Sequence, residues 1–82
     1  MDQDEILEQE AEEFLNTISK NIEKIRERKM VTKLDISRQL GFMYPDHYSR
    51  MELRSNGKHF NLKHLYKLSK ILNVPINKFL EE

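Results

Sequence analysis

The chain has 82 residues, 38% apolar and 34% charged, enough for one small domain, since a chain of this size buries only about 60% of its unfolded surface. It has no cysteine, which excludes a disulfide framework and a thiolate zinc site and is compatible with a reducing compartment. No apolar run approaches the roughly 18 residues of a bilayer span, the acidic start is unlike a signal peptide, and a formal net charge of zero gives no overall pull toward polyanions, so a cytoplasmic protein without membrane contact is expected.

The charge is unevenly placed along the chain. Residues 1–13 hold seven acids (Asp2, Asp4, Glu5, Glu8, Glu10, Glu12, Glu13) and no base, while the rest holds all fourteen Lys and Arg against seven acids, a net of +7. This suggests an acidic extension over residues 1–13 and a basic body over residues 14–82. The apolar residues Leu7, Ala11, Phe14, Ile18, Ile22 and Ile25 recur at spacings of 4, 3, 4, 4 and 3. That periodicity predicts one helix with a continuous apolar stripe, ending near Lys29. Asp2 or Asp4 is a candidate cap, and acids early with bases late suit the helix dipole.

Thr32 is the predicted cap of a second helix running to Leu40, with Leu34 or Ile36 and Leu40 facing inward. Gly41 supplies the freedom a tight turn needs. Pro45 suits the first turn of a third helix, because its missing N–H costs nothing there. Ser55-Asn56-Gly57 stops that helix. Asn61 caps a fourth, Leu62 to Leu72, with Leu62, Leu65, Leu68 and Leu72 inward, and Asn73 ends it in a left-handed conformation. After Val74-Pro75 a last short helix carries Ile76, Phe79 and Leu80. No alternating β-branched run of strand length occurs, so the expected class is all-α with five helices.

Enzyme chemistry finds little support in these residues. His47, His59 and His64 lack cysteine partners, and the five-residue spacing of His59 and His64 puts them on no shared helical face, so no metal site is expected. Gly41 and Gly57 stand alone and make no phosphate-cradling loop. Nothing resembles a nucleophile elbow, and no cofactor is implied. The segment from about residue 32 to 54 is more informative. A polar-capped short helix, a lone glycine and a second short helix with Asp46, His47, Ser49 and Arg50 on its polar side read as a helix-turn-helix.

From about Ile18 to Leu80 the sequence resembles the Cro/phage-repressor (xenobiotic-response-element) type of helix-turn-helix domain. The resemblance rests on Ile22-x-x-Ile25-Arg26, Thr32, Ile36-Ser37, Leu40-Gly41, Tyr48-Ser49-Arg50-Met51-Glu52 and Leu65-x-x-Leu68-Ser69-x-x-Leu72-Asn73-Val74. In size the chain is similar to the controller proteins of restriction-modification systems. It departs from the family pattern in having Ser37 where alanine is usual, Lys33 and Pro45 where glutamines are common, one extra residue between Gly41 and Ser49, and a longer loop after Glu52.

The resemblance implies a compact five-helix, lambda-repressor-like DNA-binding domain with an extended acidic first helix. It implies a transcriptional regulator, expected to be a repressor, acting as a homodimer on a palindromic operator in double-stranded DNA. Base-reading candidates are Tyr44, Asp46, His47 and Arg50. Phosphate candidates are Thr32, Lys33, Arg38, Ser49, Arg54, Asn56, Lys58 and His59. Tyr48 falls at a core position. Ile76, Phe79 and Leu80 are dimer candidates and equally candidates to close a monomeric core. The alternative is a protein-interaction or antitoxin-like module on the same scaffold. If the extension is helical, its apolar residues Ile6, Leu7 and Ala11 would seek a partner surface, in the dimer or in another protein. The extension's carboxylates would also be placed to repel DNA or shield the basic face.

Overall fold

Local capping chemistry sets where each helix begins. In the computed structural model, which describes residues 2–82, the Asp2 carboxylate accepts from the Glu5 N–H at 2.9 Å and opens α1 (Gln3–Arg28). The Thr32 hydroxyl accepts from the Asp35 N–H at 3.1 Å and opens α2 (Lys33–Leu40). Pro45 occupies the first turn of α3 (Pro45–Leu53), which has no side-chain cap. Asn61 opens α4 (Leu62–Leu72) with a reciprocal pair, its side chain accepting from the His64 N–H at 2.8 Å while His64 Nδ1 accepts from the Asn61 N–H at 3.1 Å. A short α5 (Asn77–Leu80) follows. The fold is all-α, and a single 3-10 turn, Ser55–Gly57, links α3 toward α4.

The helix ends repeat one device. At the ends of α1, α2 and α4 the chain turns through a left-handed residue, Met30, Gly41 and Asn73 respectively. In each case the following N–H bonds back to a carbonyl five residues earlier: Val31 to Arg26, Phe42 to Ser37, Val74 to Ser69. These paired closures satisfy the otherwise unpaired last carbonyls. The residue after each turn is apolar, and Val31, Phe42 and Val74 all lie against the core. Glycine or asparagine suits the left-handed site. Met30 does not, and at φ 59° it carries the backbone strain of a side chain in that region.

The core is assembled from Ile18, Ile22, Ile36, Leu40, Tyr48, Met51, Phe60, Leu65, Leu68, Leu72 and Phe79. α1 lies across α3 and α5, while α2 packs on α3 and α4. At 26 residues α1 is about 39 Å long by its rise per residue. It therefore spans most of the molecule's 42 Å long axis. The Asn21 amide ties its middle to the end of α5, donating to the carbonyls of Phe79 at 3.0 Å and Glu81 at 2.6 Å.

This packing corrects one expectation, the inward placement of Leu62, and decides between the two roles open to Phe79. The apolar stripe of α1 is continuous in the helix, but it is buried only from Ile18 onward, and Leu7, Ala11 and Phe14 run past the body into solvent. Leu62 is 84% exposed, because it sits about 100° around α4 from the Leu65–Leu68–Leu72 face that the body covers. Phe79 is completely buried within the protomer, so it closes the core and has no surface to offer a second copy. Of the alternatives Leu34 and Ile36, Ile36 is the core residue.

Candidate functional site

α3 is held by its inner face. Tyr48, Met51 and Glu52 are buried there, and a carboxylate at such a position needs compensation. Arg26 of α1 supplies it through a two-pronged pair, Nε to Oε2 at 2.9 Å and Nη2 to Oε1 at 3.0 Å. The third arm, Nη1, donates to the Val31 carbonyl at 2.8 Å. The Tyr48 hydroxyl also donates to Glu52, and Lys33 Nζ lies 3.9 Å from Glu52 Oε1. Ser19 adds a further tie from α1, donating to the Met51 carbonyl at 2.9 Å. The hydrogen bond to Glu52 raises the Arg26 pKa above its usual value. Burial first, then Glu52, drives the Tyr48 hydroxyl far above its ordinary range. Both groups therefore keep their protons, and the network stays paired at neutral pH.

The outer face of α3 is open. Asp46, His47 and Arg50 are exposed and Ser49 is half-buried. Tyr44, also exposed, immediately precedes the helix, and its carbonyl accepts from Ser37 at 3.3 Å, which ties the turn to α2. His47 and Arg50 line a concavity of about 200 Å³ together with Met51, Lys58 and His59. The fold thus brings two base-reading candidates from α3 and two phosphate candidates from the loop that follows it to one depression. Lys33 reaches across from α2 to the same helix, its Nζ 3.2 Å from Ser49 Oγ. Thr32, just before α2, and Arg38 on it are exposed, with the Thr32 hydroxyl committed to the cap.

Arg54 is placed differently. Its guanidinium turns back toward α1, where it pairs with Glu12 and donates to Asn16 Oδ1 at 2.9 Å. The remaining nitrogen donates to the carbonyls of Gly57 and Lys58, both at 2.9 Å. Arg54 therefore braces the loop that carries Asn56 and Lys58, and its side chain is mostly covered. Of the dimer candidates, Ile76 is half-buried and Leu80 is exposed.

Behind the concavity lies an aromatic group. Phe42 meets His64 edge-on at 5.4 Å and His47 at 6.1 Å, while Phe60 lies 6.2 Å from His64 and 5.6 Å from Tyr48. Burial, then the charges of Lys67, His59 and Lys63, lowers the His64 pKa below its usual 6.5.

The Arg26–Glu52 pair and the Arg54–Glu12 brace do not follow from any local pattern in the chain. A hint of the first exists, since Glu52 falls four residues after Tyr48 and so shares its inward face. Nothing comparable marks the second. No helix of the described residues is long and apolar enough to cross a membrane. A scan against family models matches nothing, and comparison with curated proteins and with solved structures likewise finds no match.

Proposed function

We propose that this chain is a sequence-specific double-stranded DNA-binding regulator, a repressor by operator occupancy, with α2, the Gly41 turn and α3 acting as a helix-turn-helix. The observation that carries this reading is the outer face of α3. It offers Asp46, His47 and Arg50 to solvent beside Lys58 and His59, over an inner face locked by buried charge.

In this reading α3 lies in the major groove, where its exposed side chains meet base edges. Arg50 pairs with guanine, a contact worth about 1–3 kcal/mol of discrimination. Asp46 accepts from a cytosine amino group, and Lys58, His59 and Lys33 grip phosphates on either side. One such surface covers a half-site, and two copies related by a two-fold axis read half-sites about 34 Å apart. Ile76 and Leu80 remain available to that pairing.

The test is binding to random duplex DNA across a salt series, followed by selection of preferred sites. The reading expects affinity to fall about 0.9 log units per phosphate contact for each tenfold rise in salt, and a palindromic selected site. Binding that is absent at low salt would overturn it. That result would favour the second reading, a protein-interaction module, which draws support from the exposed apolar and acidic turns at the start of α1.

A further inference from the structure

Two surfaces of this molecule have opposite charge and matching apolar rows. The first is the start of α1. Leu7, Ala11 and Phe14 continue the line of the buried Ile18, but beyond the body nothing covers them. At 100° per residue Asp4 and Glu8 flank that row on one side and Glu10 on the other. The second is the outward face of α4. Leu62 is 84% exposed and Tyr66 59% exposed, one turn apart on the same line. Lys63, Lys67 and Lys70, all exposed, form the adjacent row, and Lys70 Nζ sits 5.5 Å from the centre of the Tyr66 ring.

We infer that the exposed face of α4 is the seat for the acidic first turns of α1 from a second copy of this chain. Leu62 and Tyr66 meet Leu7, Ala11 and Phe14, and the three lysines face Asp4, Glu8 and Glu10. Like pairing with like is disfavoured at both surfaces. Two α1 extensions side by side would bring together fourteen carboxylates, and two α4 faces would oppose their lysines. Each copy owns one of each surface, so a two-fold exchange uses both contacts and stops at a dimer. With few large side chains per contact the pairing is reversible and salt-sensitive, since exposed charges are screened within about 10 Å at 0.1 M salt and about 3 Å at 1 M. This inference does not rest on DNA binding, and its test contains no nucleic acid.

Sedimentation velocity of the full chain reads the outcome. At about 0.1 M salt the mass should rise from monomer to dimer with concentration, and the association should weaken roughly tenfold or more toward 1 M. Two triple variants carry the decisive comparison: Asp4→Lys/Glu8→Lys/Glu10→Lys, and Lys63→Glu/Lys67→Glu/Lys70→Glu. All six positions are exposed, and circular dichroism checks that each variant folds. Each variant alone should be monomeric, because its two surfaces now carry the same sign. An equimolar mixture should form dimers again, because every contact is once more between opposite charges. A wild-type chain that stays monomeric throughout overturns the inference. So do triple variants that associate like the wild type, or a mixture no more associated than its components.

Discussion

Arg26 and Glu52 bring opposite charges to a place water hardly reaches, with the Glu52 side chain wholly buried and Arg26 nearly so. Such a pair is weak evidence of net stabilisation, because removing both charges from water offsets most of their attraction. Its asymmetry is what matters. Removing one partner strands the other, and Arg26→Met should destabilise the domain by about 3–5 kcal/mol, a large part of the stability of a domain this size. Lys33, 3.9 Å from Glu52 and partly exposed, is too distant to replace the two-pronged contact. Adding Glu52→Leu to Arg26→Met should recover part of the loss, although the Tyr48 hydroxyl then lacks its acceptor. Urea denaturation of the two variants checks this. A single variant as stable as the wild type would mean that Glu52 finds water on its own.

The helices show which parts of the fold are written in short stretches of sequence. Thr32, Gly41, Pro45, Asn61 and Asn73 each act within a few residues of themselves, and each marks a boundary that the sequence alone reveals. Leu62 misleads because periodicity reports which side of a helix is apolar but not which side finds a neighbour. His64 shows a further layer. Its role as acceptor for the Asn61 N–H makes the start of α4 sensitive to protonation. Burial lowers its pKa in the folded chain, so the unfolded chain binds the proton more readily. The associated stability is therefore present above about pH 6.5 and is lost as pH falls through the folded value. Thermal melts from pH 8 to pH 5 should show this decline. His64→Gln, which can still accept from the capping residue but does not titrate, should flatten it. An equally steep decline in the variant would assign the effect to other groups.

At the scale of the whole molecule, an uncharged total conceals a strong separation of charge. The acidic and basic blocks were visible in the sequence, but their consequences were not, because these depend on where a 26-residue helix projects. The candidate site was legible to the same degree. The exposed residues of α3 could be named from spacing, yet the joining of His47 and Arg50 with Lys58 and His59 depends on how the loop after α3 folds back, and the diversion of Arg54 to Glu12 depends on a contact with a residue 42 positions away. On the DNA-binding reading the same helix becomes an electrostatic brake. Its carboxylates share a small body with the duplex-facing surface and repel phosphates, while Glu12 also neutralises Arg54. Changing Asp4 to Asn and Glu5, Glu8 and Glu10 to Gln leaves the Glu12–Arg54 brace in place and removes four negative charges. Measured at a protein concentration below that at which sedimentation detects association, duplex affinity should tighten several-fold at about 0.1 M salt, and the gain should shrink as salt shortens the reach of the field. Unchanged or weaker binding in the neutralised chain would show that the extension lies outside the field felt by DNA.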